Sequence, residues 1–248
     1  NEGVCRAIMM KQKFRKRRPK IVVIGGGTGL PVILKSLKEK DAEVTAVVTV
    51  ADDGGSSGAL RESLNAVPPG DLRNVLVALS EIPQVQKDIF QYRFNSDHQS
   101  LSGHSIGNLI ISATADMKGN IYEAIQLLAK MMQVRGNVYP AAEEPLVLNA
   151  RYQDGTTEKG ESKIPKAGKM IDYVALSCVG EAHPIQASRK VVSAIMDADL
   201  VVLGPGSLYT SILPNLMIPD LGEAVMNTEG KVVYICNIMS QLGETEGL

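Results

Sequence analysis

The chain has 248 residues, 26 Lys and Arg against 27 Asp and Glu, and 44% hydrophobic residues. At that length roughly 70–75% of the unfolded surface can be buried, so a core needs neither a disulfide nor a metal staple. No apolar run approaches the ~18–20 residues of a membrane span, and no signal-peptide pattern opens the chain. Cys5, Cys178 and Cys236 are odd in number and far apart, which reads as free thiols in a reducing cytosol.

The charge is unevenly spread. "KQKFRKRRPK", Lys11 to Lys20, has seven basic residues and no acid, whereas the chain beyond residue 20 holds 18 basic residues against 26 acidic. That body repels phosphate polymers and has no tryptophan for base stacking, so nucleic acid is not the expected partner. Residues 1–20 read as a flexible, solvated basic leader, with Met9 or Met10 as an alternative natural start.

Ile21 to Ile24 is a short, wholly apolar run, the mark of a strand buried on both faces of a parallel sheet. It breaks into "GGGTG", and "PVILKSLKEK" then reads as a helix with Pro31 in its first turn. "VTAVVTV", Val44 to Val50, is a second strand, which completes a βαβ unit. "ADDGGSSGALRESL" leaves its end. After "VPPGD", Asp71 is placed to cap a helix through "LRNVLVALSEI", and "VQKDIFQYRF" continues helically. "SLSGHSIGN" is a glycine-polar turn opening a further helix, and "NIYEAIQLLAKMMQV" has 3.6-residue periodicity. Residues 145–178 change to short alternating segments with Asp154–Gly155 as a hairpin signal, a β insertion too short for its own core. Helix "QASRKVVSAIM", strand "LVVL", loop "GPGSLYTS" and strand "KVVYICNI" follow. The expectation is an α/β, three-layer Rossmann-like fold with a mostly parallel central sheet, residues 21–248 forming one domain. The chain stops ten residues after its last strand, where a covering helix is expected: either a C-terminal part lies beyond, or the sheet ends exposed.

Ligands of such sheets bind at the carboxyl ends of strands near a topological switch point. Gly26, Gly27, Thr28 and Gly29 offer backbone N–H groups at a helix start, suited to a phosphate, although the spelling fits neither the dinucleotide fingerprint nor the Walker loop. The bland alternative is a tight turn whose glycines merely allow close packing. Asp52 and Asp53 sit where a dinucleotide fold places its ribose-binding acid, followed by Gly54, Gly55, Ser56 and Ser57. On an extended segment the two carboxylates point oppositely, so one of them is expected to face the ligand; Mg²⁺ on Asp52 or Asp53 is the less favoured role. Arg73, beside Asn74, either forks onto a phosphate or bridges back to Asp71 or the Asp52–Asp53 pair. His104 and Asn108 flank a helix start, where a lone histidine is more often structural than an acid–base group. Gly204 and Gly206 follow a buried strand, and Ser207, Tyr209, Thr210 and Ser211 crowd hydroxyls onto the next turn, with Asn215 beyond. A capping role for Ser207 explains only part of that cluster. Two anion-cradling loops in one sheet suit a ligand with two phosphates, or a phosphate and a sugar. No nucleophile or metalloenzyme motif accompanies them.

"GGGTG", "TVADDGGSSG", "PPGDLRNVL", "GHSIGNL", "GPGSLYTSILPNL" and "VYICNIM" together resemble the bacterial gluconeogenesis factor family (YvcK-like), which is related to 2-phospho-L-lactate transferase (CofD-like). The motifs run in order from Ile21 to the end. The resemblance implies a bacterial cytoplasmic protein that binds UDP-sugars such as UDP-N-acetylglucosamine and supports growth and cell shape on gluconeogenic carbon, without an established reaction. It implies a site drawn from Gly26 to Gly29, Asp52 to Ser57, Asn108, Gly206 to Ser211 and Asn215. It also implies sequence beyond "QLGETEGL". The transferase branch instead moves a phospholactyl group from a guanosine diphosphate carrier to a deazaflavin. A second reading is an enzyme that transfers a phospho group from a nucleotide diphosphate carrier, with Mg²⁺ held by Asp52 or Asp53. A nicotinamide-dependent oxidoreductase ranks third, although the first loop is equally able to hold an NAD-like dinucleotide. A regulatory protein partner and self-association are left open.

Overall fold

The computed structural model describes residues 17–64, 67–95, 101–179, 184–241 and 243–245. Most of the leader therefore lies outside the described residues. Its end folds onto the acidic body: Arg17 forks onto Asp199 at 2.6 and 2.9 Å, and Arg18 meets Asp41 at 2.6 Å.

β1 (Lys20–Gly25) is the central strand of a five-stranded parallel sheet. β2 (Glu43–Val48) pairs on one side of it and β3 (Asn137–Pro140) lies outside β2. β7 (Leu200–Leu203) pairs on the other side and β8 (Lys231–Tyr234) lies outside β7. The order β3-β2-β1-β7-β8 makes the chain grow outward in one direction and then restart beside β1 in the other. The switch point therefore lies between the carboxyl ends of β1 and β7. The apolar runs explain the layout: Val22, Val23, Ile24, Ala46, Val47 and Val48 are all buried, as strands covered on both faces must be.

The helices bury stripes at helical spacing. α1 (Gly29–Lys38) buries Leu30 and Leu34. α2 (Gly55–Leu64) is the next element after β2. α3 (Gly70–Leu79) buries Leu72, Val75, Leu76 and Leu79, one face of a helix. α4 (Gln84–Gln91) is separated from α3 by Pro83, which occupies its cap position. α5 (Ile106–Lys118) is capped by the Ser105 side chain, and α6 (Ile121–Met131) by Asn120, which accepts from Glu123 N at 3.1 Å. α7 (Arg189–Met196) starts behind Ser188. A π-helical turn at Leu208–Ile212 runs into α8 (Leu213–Leu216), and α9 (Pro219–Asn227) precedes β8. No described helix is long and apolar enough to cross a membrane.

The insertion is a three-stranded antiparallel sheet, β4 (Leu146–Tyr152), β5 (Thr157–Lys159) and β6 (Ile171–Cys178), ordered β5-β4-β6. Leu146, Leu148, Ala150 and Tyr152 are buried at alternate positions and join the main core cluster. The β4–β5 turn uses Gly155 at φ +82°, with Asp154 Oδ1 accepting from Thr156 N at 2.9 Å.

Several boundaries differ from expectation. β2 ends at Val48 rather than Val50, and the last strand ends at Tyr234 rather than Ile238. The "GGSSGALRESL" stretch is mostly helix, although its glycines and serines have low helix propensity. Asp71 is not the cap of α3: Pro69 holds that position, and the Asp71 carboxylate is used elsewhere.

Candidate functional site

Three loops leave the carboxyl ends of β1, β2 and β7. In the first, a Cβ on Gly26 would lie 2.3 Å from Thr49 Cγ2 and 2.7 Å from Asp71 Oδ2, and one on Gly29 would lie 2.8 Å from the Pro205 carbonyl oxygen. Gly27 takes φ +65°, and its N–H donates to Asp71 Oδ2 at 2.6 Å. Close packing thus accounts for Gly26 and Gly29. Thr28 is exposed, with its hydroxyl outside any cap bond.

The β7 loop stacks against this one. Gly29 touches Pro205, Gly206 lies 3.5 Å from the Gly26 carbonyl by its would-be Cβ, and the Ser211 hydroxyl lies 3.5 Å from the corresponding point on Gly27. Gly204 takes φ +81°. The Ser207 hydroxyl does not cap the turn but accepts from Gln241 Nε2 at 2.9 Å. Thr210 and Ser211 are buried and Tyr209 is half-buried. Asn215 is fully buried and donates to the Ser211 carbonyl at 2.8 Å, leaving its own Oδ1 without a partner. Its observed contact therefore holds the turn. The segment after β8 closes over this loop: Asn237 donates to the Gly206 carbonyl at 3.2 Å, and the buried Glu244 accepts from Thr210 Oγ1 at 3.3 Å. Burial raises the Glu244 carboxyl, opposed by the hydroxyls of Ser207 and Thr210 and the N–H groups of Tyr209 and Thr210.

The β2 loop carries the acids. Asp52 Oδ1 accepts from Gly54 N at 2.8 Å, and Asp53 Oδ1 accepts from Ser162 N at 2.7 Å. Ser162 belongs to the insertion, so Asp53 pins that segment to the end of β2. Both aspartates, with Glu161, bring a carboxylate oxygen to within 4.8 Å of one another. The two aspartate carboxylates therefore do not point oppositely, as an extended segment would place them, but converge on Glu161. Residues 52 and 53 lie beyond the strand, where side chains no longer alternate. Burial pushes Glu161 up to about 8, with Asp52, Asp71 and Asp53 adding to the rise. Burial also raises Asp71 to about 6, against the Gly27 hydrogen bond. The three clustered oxygens form a hard donor set suited in chemistry to Mg²⁺ or another divalent cation. Gly55 is exposed, while Ser57 is buried against the start of α3, its hydroxyl 2.4 Å from a would-be Cβ of Gly70.

Behind the acids lies a buried polar chain. Arg73 is 6% exposed, and burial lowers its pKa. Its guanidinium donates to Ser105 Oγ, to Asn108 Oδ1 at 2.8 Å and to Asn74 Oδ1 at 2.9 Å. Neither expected role, a phosphate fork or a bridge to the acids, describes these bonds. Gly107 makes room for Arg73, since a Cβ there would lie 2.8 Å from Arg73 Cδ. Asn108 Nδ2 donates to Ser56 Oγ at 3.0 Å, and Ser56 Oγ lies 3.0 Å from His104 Nδ1.

Sequence reasoning missed three participants. The local sequence around Asp71 reads as a helix cap. Glu161 and Glu244 stand far from the glycine motifs, and only their glycine-flanked settings, "GES" and "GET", resemble the recognised loops.

Residues 21–248 match the family model described as 2-phospho-L-lactate transferase CofD. A "Putative gluconeogenesis factor" of Streptococcus pyogenes serotype M1 is 54% identical over 230 residues, covering 93% of this chain and 71% of its own. The gluconeogenesis factor of Listeria innocua is 50% identical over 232 residues, covering 94% and 70%. A crystal structure of protein BH3568 from Bacillus halodurans superposes with a TM-score of 0.89 at 48% identity, over 93% of this chain and 72% of that one. The glycine loops, their placement at the switch point and these matches agree: the chain belongs to the CofD family and is closely similar to its gluconeogenesis factors.

Proposed function

We propose that the chain is a gluconeogenesis factor that binds a nucleotide-diphosphate sugar, UDP-N-acetylglucosamine being the first to test, and acts in the cytoplasm as a regulatory binder supporting growth and cell shape on gluconeogenic carbon. The observation that carries this reading is the contact of the two glycine loops at the β1–β7 switch point, where parallel α/β sheets bind nucleotides. The ligand would draw on the exposed Thr28, on N–H groups of the Gly26–Gly29 and Gly206–Ser211 loops, and on the Asp52–Ser57 loop for its sugar hydroxyls. Residues 21–248 would act as one ligand-binding unit. Isothermal titration with UDP-N-acetylglucosamine tests it, and absence of heat at millimolar ligand would end it.

A second reading is favoured by the Asp52–Asp53–Glu161 cluster. A diphosphate placed beside several carboxylates is repelled unless a cation stands between them, and a phospho-group transferase would use that cation to offset charge in transfer. Here Asp52, Asp53 and Glu161 would hold the cation, while the glycine loops would orient the diphosphate. Mg²⁺-dependent product formation from a nucleotide diphosphate donor, lost in Asp52→Asn, would establish it.

A further inference from the structure

Hydrogen-bond direction along the buried polar chain follows from its first member. Arg73 can only donate, so the Asn108 atom facing it at 2.8 Å is the carbonyl oxygen. The other end of that amide is then the NH₂ group, which donates to Ser56 Oγ at 3.0 Å. Ser56 must send its own hydroxyl proton somewhere. Its side chain is buried, and among the described residues the remaining partner of its oxygen is His104 Nδ1 at 3.0 Å. Were Nδ1 protonated, Ser56 Oγ would accept twice and its buried proton would lack an acceptor.

We propose that Arg73, Asn108 and Ser56 are positioning residues that hold His104 in the Nε2–H tautomer, so that it meets a ligand as a hydrogen-bond donor to an oxyanion and not as a general base. Neutral imidazole carries one N–H, and an accepting Nδ1 places it on Nε2. Among the described residues no protein acceptor meets Nε2, and His104 is half-buried beside the loop that carries Asp52 and Asp53. A donor at that place suits the oxygen of a phosphate or an acyl group. What sits opposite Nε2 rests on the proposed nucleotide-diphosphate site; the tautomer does not.

The test is ¹⁵N NMR of the whole chain labelled at histidine, at about pH 8 where an ordinary imidazole is neutral, with His104 assigned by its absence in His104→Gln. The expected spectrum has a pyridine-like Nδ1 and a pyrrole-like Nε2. Ser56→Ala should mix the two tautomers, and Ser56→Thr should restore the wild-type pattern. Asn108→Asp should reverse it, because a carboxylate accepts the Ser56 proton and Ser56 then accepts from Nδ1–H. A merely structural role for these residues predicts no such reversal. A wild-type Nδ1–H tautomer, or one ratio in all folded variants, would overturn the relay. Adding UDP-N-acetylglucosamine should shift the Nε2–H resonance; binding that leaves it in place overturns the donor assignment. If the sugar nucleotide fails to bind while the tautomers behave as stated, the proposed function falls and the relay stands.

Discussion

Asp71 Oδ2 accepts the Gly27 N–H at 2.6 Å, so an acid from the start of α3 occupies a donor of the loop best suited to an anion. Desolvation makes this contact pH-dependent. Burial lifts the carboxyl from 3.8 to about 6. A raised pKa means that the folded state holds the proton more tightly than the unfolded chain does. Its stabilising share is complete below the unfolded value near 3.8 and is lost as pH rises through about 6. Asp71→Asn keeps an acceptor for Gly27 without a charge. Its denaturation midpoint should vary less between pH 4 and 6 than wild type, and at pH 7 it should be more stable by on the order of 1–3 kcal/mol. A steeper pH profile in the variant would contradict the burial argument.

Glu161 extends the same reasoning into a higher window. Burial and three neighbouring aspartates raise it from 4.5 to about 8, so its share of stability fades from about pH 4.5 to about pH 8. Glu161→Gln should flatten thermal stability across that range and raise the melting temperature most at its alkaline end. A divalent cation on Asp52, Asp53 and Glu161 would supply the missing counter-charge. Millimolar Mg²⁺ should then raise the wild-type melting temperature at pH 8, and raise that of Glu161→Gln by less. Equal shifts in the two proteins would remove the cluster as a cation site.

The main sheet and the motif-bearing loops were legible because their signals are local. β-branched runs such as "IVVI" name strands buried on both faces, and glycines after them name the turns at the strand ends. Contacts between remote segments carry no such local mark. Nothing in "PPGDLRN" says that Asp71 faces Gly27 rather than capping its own helix, and nothing in "GESK" says that Glu161 folds onto Asp52 and Asp53. The strand-end glycines likewise serve two purposes that sequence cannot separate. Gly26 and Gly29 are demanded by Thr49 and Pro205 whether or not an anion binds. Arg73 shows the limit from the other side: a basic residue near a phosphate-type loop is spent on Ser105, Asn108 and Asn74.

Packing and ligand binding can be separated on adjacent residues. A Cβ at Gly29 would stand 2.8 Å from the Pro205 carbonyl oxygen, a backbone atom that cannot swing aside. Gly29→Ala should therefore force the two loops apart and cost about 1–3 kcal/mol. Thr28 is exposed and makes no cap bond. Thr28→Ala should leave unfolding free energy within about 0.5 kcal/mol of wild type. Under the proposed function it should nevertheless weaken UDP-N-acetylglucosamine binding several-fold in calorimetry, through loss of a hydroxyl at the loop. Unchanged affinity would move the ligand away from the start of α1.

The insertion reaches Asp53 through a hydrogen bond whose removal should be visible at its donor. Asp53 Oδ1 accepts from Ser162 N at 2.7 Å, while a Cβ on Gly160 would stand 2.0 Å from Asp53 Oδ2, so residues 160–162 lie flat against the carboxylate. Asp53→Ala deletes the acceptor and leaves the Ser162 N–H to find water. Its amide should then exchange at least tenfold faster, since the protecting bond is lost locally without unfolding the parallel sheet. Asp53→Asn retains one carbonyl oxygen and should fall between the two. Glu161 sits between these anchors, so its carboxyl should titrate nearer its ordinary value in Asp53→Ala, both because a neighbouring charge is gone and because its segment is no longer held down. Faster exchange at Ser162 without that drop would mean that the segment stays seated by its other contacts and that the Asp53 charge has little hold on Glu161.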